Sequence, residues 1–319
     1  MFKGDGHLFL GKITRYIKVS VTFILCFNSA LVCAQTAKGY YNRGGSYNNS
    51  SPTMEDLDKA VAMSPGLSDA YFDRALALAQ LGKFAEAIAD FSEAIRLNPQ
   101  DAEAFQGRGN AYAAKGNFIG AIADFRKAID LDPADAGAYY NRGLTRANQG
   151  DLSRAITDFT KAITINPQFA DAYHNRGLTW GRQGNPTQAM ADLSHAIAID
   201  PTLADAYYNR GIGYDKQGDH LRATADFSKA IGINPKFAEA YTNRGSVEIE
   251  EGNFSDARAD LTIAIEMDPG LAQAYNDRAI VYYQLKEYNK AWGDLNKAKD
   301  LGLAINSEFR NILKKILNK

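Results

Sequence analysis

Seven arginines recur along the chain, Arg74, Arg108, Arg142, Arg176, Arg210, Arg244 and Arg278, and an aspartate follows each of them by 16 residues: Asp90, Asp124, Asp158, Asp192, Asp226, Asp260 and Asp294. A planar guanidinium and a carboxylate can share two parallel hydrogen bonds, so these residues are expected to pair wherever the fold brings them level. An arginine ladder for anions is the alternative use, but an equal number of aspartates would neutralise it. The residue just before each arginine carries different chemistry. It is Asn141, Asn175, Asn209 and Asn243 in four consecutive cases, with Asp73 and Asp277 outside them, Gly107 as the exception and Asn42 far upstream. A carboxamide offers one acceptor and two donors, enough to bond the N–H and C=O of a peptide unit without reading its side chain.

Little else in the sequence suggests catalysis or metal binding. Past the first 35 residues there are only His174, His195 and His220, no two at a helical ligand spacing, and no cysteine joins them. No phosphate-cradling glycine loop, Walker lysine or Gly-x-Ser-x-Gly elbow is present. Acidic residues are plentiful but belong to a repeat pattern, so no catalytic pair stands out. The expectation is no catalytic residue, no metal and no cofactor. Lys plus Arg number 36 against 37 Asp plus Glu, a net of -1, which supplies no general attraction for nucleic acid.

The elements that must position these residues are set by seven prolines, Pro65, Pro99, Pro133, Pro167, Pro201, Pro235 and Pro269, spaced 34 residues apart without insertion. A fixed period of this length means stacked identical units. Within one period, Ala204 to Pro235, Tyr207, Gly211 and Tyr214 share one helix face, and Ala223, Phe227, Ala230 and Ile231 share another. Gly218 separates the two segments, and Pro235 cannot continue the second because it lacks an N–H. Each unit is therefore expected to be a helical hairpin with its turn halfway between Arg and Asp. Gly109, Gly143, Gly177, Gly211 and Gly245 would let the two axes approach closely.

Tyr71, Ala75, Leu78, Gly82, Ala87, Phe91, Ala94 and Pro99 fall at the spacings of the tetratricopeptide repeat, and the chain resembles that family from residue 35 almost to its end. The resemblance implies an all-α fold, a right-handed α-solenoid superhelix of stacked helical hairpins. It also implies that the asparagine position on the first helix faces a concave groove. A run of asparagines there looks like the ladder in the superhelical arm of O-linked N-acetylglucosamine transferase, whose implied ligand is an extended peptide. Tyr140, His174 and Tyr208, one residue before the asparagines, and Arg182 and Lys216, six residues after two of the arginines, are expected to line the same groove. They would make its middle aromatic and basic, with packing of the tyrosines onto neighbouring helices as the alternative. The two-carboxylate clamp of chaperone-binding relatives needs a lysine two residues before the arginine, which no repeat has.

At the start, Lys12, Arg15 and Lys18 precede an apolar run, Val19 to Cys33, of about 15 residues, short of the roughly 20 needed to span a bilayer. The stretch Val32, Cys33 and Ala34 before Gln35, with suitable residues one and three positions before the break, suits a signal peptide over 1–34; an uncleaved anchor is the alternative. Its removal, with Lys3 and Asp5, would shift the net charge from -1 to -4. A degenerate repeat is expected over 35–65, seven repeats over 66–305 and a capping helix over 306–319. The reading is an exported scaffold, periplasmic or secreted, that binds a segment of a protein partner. Alternatives are an envelope-assembly subunit docking through its convex face or edges, or a glycan- or enzyme-recruiting module.

Overall fold

The computed structural model describes residues 54–63 and 65–318. The expected signal peptide and the first helix of the degenerate repeat, with Asn42, lie outside the described residues. These form sixteen helices and no strand: α1 Met54–Met63, α2 Ser68–Gln80, α3 Phe84–Leu97, α4 Ala102–Ala114, α5 Phe118–Leu131, α6 Ala136–Gln149, α7 Leu152–Ile165, α8 Ala170–Arg182, α9 Pro186–Ile199, α10 Ala204–Asp215, α11 His220–Ile233, α12 Ala238–Glu250, α13 Phe254–Met267, α14 Ala272–Gln284, α15 Tyr288–Asp300 and α16 Ser307–Ile316. No described helix is long and apolar enough to cross a membrane.

The chain divides into two compact units, one ending at Pro167 and one starting at Gln168. In the first, α2 packs on α3, α4 on α5 and α6 on α7. In the second, α8 packs on α9, α10 on α11, α12 on α13 and α14 on α15, with α16 against α15. Within each unit a hairpin's first helix also packs on the second helix of the hairpin before it.

The local reasons repeat with the sequence. Asp101, Asn117, Asp135, Asp151 and Asp219 each accept a backbone N–H of the helix they precede, and Pro186 occupies a first-turn position where its missing N–H costs nothing. The turn inside each hairpin needs a left-handed residue. Glycine supplies it at Gly82, Gly116, Gly150, Gly184, Gly218 and Gly252, but in the last hairpin Lys286 takes φ 62° instead.

The hairpin cores are small residues around one large side chain. Phe91, Phe125 and Phe159 in the first unit, and Leu193, Phe227, Leu261 and Leu295 in the second, are buried among alanines. The first-helix glycines make room for them. A Cβ on Gly143 or Gly211 would sit 2.8 Å from the ring of Phe159 or Phe227, and one on Gly245 would sit 2.9 Å from Leu261. Close approach of the helices is thus required by these particular side chains. At the end of the chain, α16 buries Leu313 and sets the Phe309 ring 5.4 Å from that of Tyr283, while Ile312 and Ile316 stay 39% and 40% exposed. The cap covers the last hairpin with one edge only.

Candidate functional site

The arginine–aspartate couples form in all seven hairpins. Nε and Nη2 of Arg74, Arg108, Arg142, Arg176, Arg210, Arg244 and Arg278 bond the two carboxylate oxygens of the aspartate 16 residues on, over 2.6–3.0 Å. Each guanidinium also lies 5.5–5.7 Å from an aromatic ring three residues earlier, such as Tyr139, Tyr173 or Tyr241. These arginines are absorbed by the fold and present no anion-binding ladder.

Sequence reasoning missed the third partner. The remaining Nη1 reaches back to the preceding hairpin: Arg108 to Ser92 Oγ at 3.0 Å, Arg210 to Ser194 at 3.2 Å, Arg244 to Ser228 at 2.9 Å, Arg278 to Thr262 at 3.2 Å and Arg74 to Asp58 at 3.0 Å. The signal was present, because each of these residues lies 16 before its arginine. Arg142 is the departure: Arg126 stands 16 before it, and Asp158 accepts a second guanidinium, that of Arg146, at 2.7 Å.

Beside this framework lie the asparagines. Within each unit successive first helices touch, α2 with α4 and α4 with α6, then α10 with α12 and α12 with α14, whereas no two successive second helices approach as closely among the described residues. The first helices therefore form the inner side of each unit. In the second unit the asparagine side chains are half-buried on that side. Asn175 Nδ2 donates to Asp171 O at 2.8 Å and Asn209 Nδ2 to Asp205 O at 2.7 Å, one turn back on their own helices. Asn209 Nδ2 also meets His174 Nε2 at 3.3 Å, and Asn243 Nδ2 donates to Tyr208 Oη at 3.1 Å. Each of these last two contacts joins an asparagine to the side chain 35 residues earlier, in the hairpin before it.

The expected aromatic lining needs correction. Tyr140 and His174 are each 2% exposed, and Tyr140 packs its ring 5.9 Å from that of Phe159. Tyr208 is half-buried between Phe227 at 5.9 Å and Phe237 at 4.6 Å. The physical reason is packing: Tyr140 lies against Phe159 of its own hairpin, and Tyr208 against Phe227 of its own and Phe237 at the start of the next. Tyr140 and His174 offer little surface of their own, and His174 and Tyr208 meet the asparagines of the next hairpin. Arg182, at the end of α8, and Lys216, which caps α10, are exposed. In the first unit Asn141 is half-buried on α6.

Two carboxyls in the second unit are held in unusual surroundings. Asp277 occupies the asparagine position of the last hairpin; it is buried and accepts from Ser246, Gln273 and Asn276 at 2.7–3.1 Å. Burial raises its pKa against the pull of those bonds. Glu248 has one buried oxygen without a hydrogen-bond partner, and desolvation together with Asp260 pushes its carboxyl up to about 7. His195 stacks 5.3 Å from Tyr173, and His220 lies between Asp215 and Glu250 at 3.6 and 3.5 Å. Among the described residues no group of three histidine, cysteine or acidic side chains could hold a metal ion.

Family models described as TPR repeat match residues 75–116, 109–150 and 182–218, and models described as tetratricopeptide repeat match 136–169, 204–237 and 242–302. A comparison with curated proteins found no match. Among solved structures, MamA is 28% identical, with a TM-score of 0.48, over 52% of this chain and 96% of its own. A chain of the APC/C hetero-tetramer Cut9-Hcn1 has a TM-score of 0.60 at 19% identity, covering 83% of this chain and 52% of that one. PilF of Pseudomonas aeruginosa has a TM-score of 0.60 at 17% identity, covering 69% and 97%. The last two share the fold of stacked helical hairpins. With the period, the hairpin packing and the family matches in agreement, the chain belongs to the tetratricopeptide repeat family.

Proposed function

We propose that the protein is an exported, non-enzymatic scaffold that grips an extended segment of a partner protein along the inner side of its repeats. The carrying observation is the run Asn175, Asn209 and Asn243 on successive first helices of the second unit, each half-buried with its amide hydrogen-bonded within the fold. Asn141 offers the same group in the first unit. Asparagine is a mediocre helix former, so its recurrence at one inner position favours recognition over helix stability. Backbone-directed amides give affinity that tolerates sequence change in the ligand. Export rests on the basic and apolar pattern of residues 1–34.

The test is a capture experiment from the envelope of the exporting cell. The wild type is run beside a variant with Asn141, Asn175, Asn209 and Asn243 all replaced by Ala. A partner retained by the wild type and lost by the variant is expected. A partner held equally by both overturns groove recognition and moves binding to another face, as in a docking subunit.

A further inference from the structure

Among the described residues every buried aspartate but one holds an arginine. Asp90, Asp124, Asp158, Asp192, Asp226 and Asp260 each take a guanidinium, whereas Asp277, equally buried, has only neutral partners. Its Oδ2 lies 2.7 Å from Ser246 Oγ on α12, and its Oδ1 meets Gln273 Nε2 at 2.7 Å and Asn276 Nδ2 at 3.1 Å on its own helix. No charged side chain of α12, α13, α15 or α16 is close enough to act on it. Arg244 of α12 bonds Asp260 of α13, Arg278 of α14 bonds Asp294 of α15, and the Asp277 carboxyl feels its burial and these three hydrogen bonds. A carboxylate buried without a cation is costly, and the neutral acid is favoured instead.

Ser246 can serve both forms. A hydroxyl has one hydrogen, and Ser246 Oγ lies within reach of two acceptors, Asp277 Oδ2 and, at 3.0 Å, Thr242 O one turn back. While Asp277 is ionised, its charge draws that hydrogen to Oδ2 and the bond to Thr242 O is given up. Once Oδ2 carries a proton it donates to Ser246 Oγ, and the serine hydrogen turns to Thr242 O. Protonation thus reverses the bond between the two hairpins, adds one behind it and removes the uncompensated charge. The pair is also matched in sequence: Ser246 stands where α8, α10 and α14 carry Leu178, Ile212 and Ile280, and Asp277 stands where α8, α10 and α12 carry Asn175, Asn209 and Asn243.

We propose that Asp277 is a protonation latch between the hairpins α12–α13 and α14–α15: as a neutral acid it locks the last hairpin, with α16 on it, onto α12, and as a carboxylate it loosens that junction. Burial holds the carboxyl above its ordinary 3.8, so the native state favours the proton. The latch therefore contributes fully below the ordinary value, and its contribution is lost as pH rises through the raised one. The asparagines at the equivalent places of the preceding hairpins do not titrate and form no such latch. Its action is independent of what the groove binds.

The test compares the full chain with Asp277→Asn, which keeps the shape and both hydrogen-bonding roles of the neutral acid and cannot ionise. Hydrogen–deuterium exchange from about pH 4.5 to about pH 8 gives, for peptides of α14, the ratio of wild-type to variant opening, in which intrinsic exchange and the other titrating groups cancel. That ratio is expected to rise about tenfold for each pH unit by which the fold raises the carboxyl, and to stay flat for peptides of α8. The carboxyl carbon of Asp277 is expected to titrate by NMR with a midpoint above 3.8; this measurement needs the wild type alone and decides the matter should the variant misfold. A flat α14 ratio, or a midpoint at or below 3.8, overturns the latch. An equal rise in α8 does so too, because it would mean global unfolding rather than release of one hairpin.

Discussion

The residue before the repeat arginine is used differently in the two units. The first carries Asp73, Gly107 and Asn141 there; the second carries Asn175, Asn209, Asn243 and Asp277. Gly107 is explained by packing: a Cβ at that position would sit 2.4 Å from the Phe91 ring, which fills the space and also meets Phe72 edge-on at 5.8 Å. Just before it, Gln106 is tied to Asp135 in the following loop. In the second unit Asn209 and Asn243 at the same place meet His174 and Tyr208 of the preceding hairpin. One backbone position thus carries a packing glycine in one hairpin of the first unit and a run of asparagines in the second, while the arginine beside it bonds its own aspartate throughout.

The comparison breaks most severely if the shared framework fails. Asp192→Ala is expected to cost about 3 to 5 kcal/mol, because it strands a largely buried Arg176. Asp158→Ala should cost at least as much, since it strands both Arg142 and Arg146. Chemical denaturation of each variant measures this, and a change within error for either would mean that the couples add nothing to stability. Next comes Gly107→Asn, which imposes the second unit's choice on the first. Displacing Phe91 should cost about 1 to 3 kcal/mol, read by the same method, with no gain in peptide binding.

Acidity separates the units more gently. The Glu248 carboxyl is raised to about 7 in the fold from an ordinary 4.5, so the native state favours its protonated form. Its contribution is greatest below the ordinary value and is lost as pH rises from about 4.5 toward 7. For a half-exposed side chain the swing should be about 1 kcal/mol after screening. Comparing wild type with Glu248→Gln across that range isolates it: the wild type should lose stability relative to the variant as pH rises. The smallest effect is Lys286→Gly, which restores the residue used at every other hairpin turn; about 0.5 to 1 kcal/mol of stabilisation is expected in a melt.

What was legible in the sequence was whatever the 34-residue period controls. The hairpins, the level placement of Arg and Asp, and the fixed position of the asparagines all follow from spacing along regular helices. Burial of Tyr140 and His174 does not, because it depends on how tightly first helices crowd on the inner side. The contact of Asn209 with His174 was equally hidden, since it joins side chains 35 residues apart in successive hairpins. The exposed edge of α16 was hidden for a related reason. An amphipathic stripe shows which residues can pack, but the width of the surface beneath decides how many do, and here it accommodates Leu313 and leaves Ile312 and Ile316 outside.

The backward reach of Arg108, Arg210, Arg244 and Arg278 to a hydroxyl one hairpin earlier has a statistical-mechanical consequence. In a linear array, stability is a sum of unit terms and nearest-neighbour couplings, and the couplings set how many units melt together. Ser92, Ser194, Ser228 and Thr262 each add to such a coupling. Between the hairpins α4–α5 and α6–α7 that bond is replaced by Arg126, so the array carries a weak link there. Amides flanking that junction should exchange with deuterium before their equivalents at the Ser92 junction, making partial opening a local property of one interface rather than fraying from the ends.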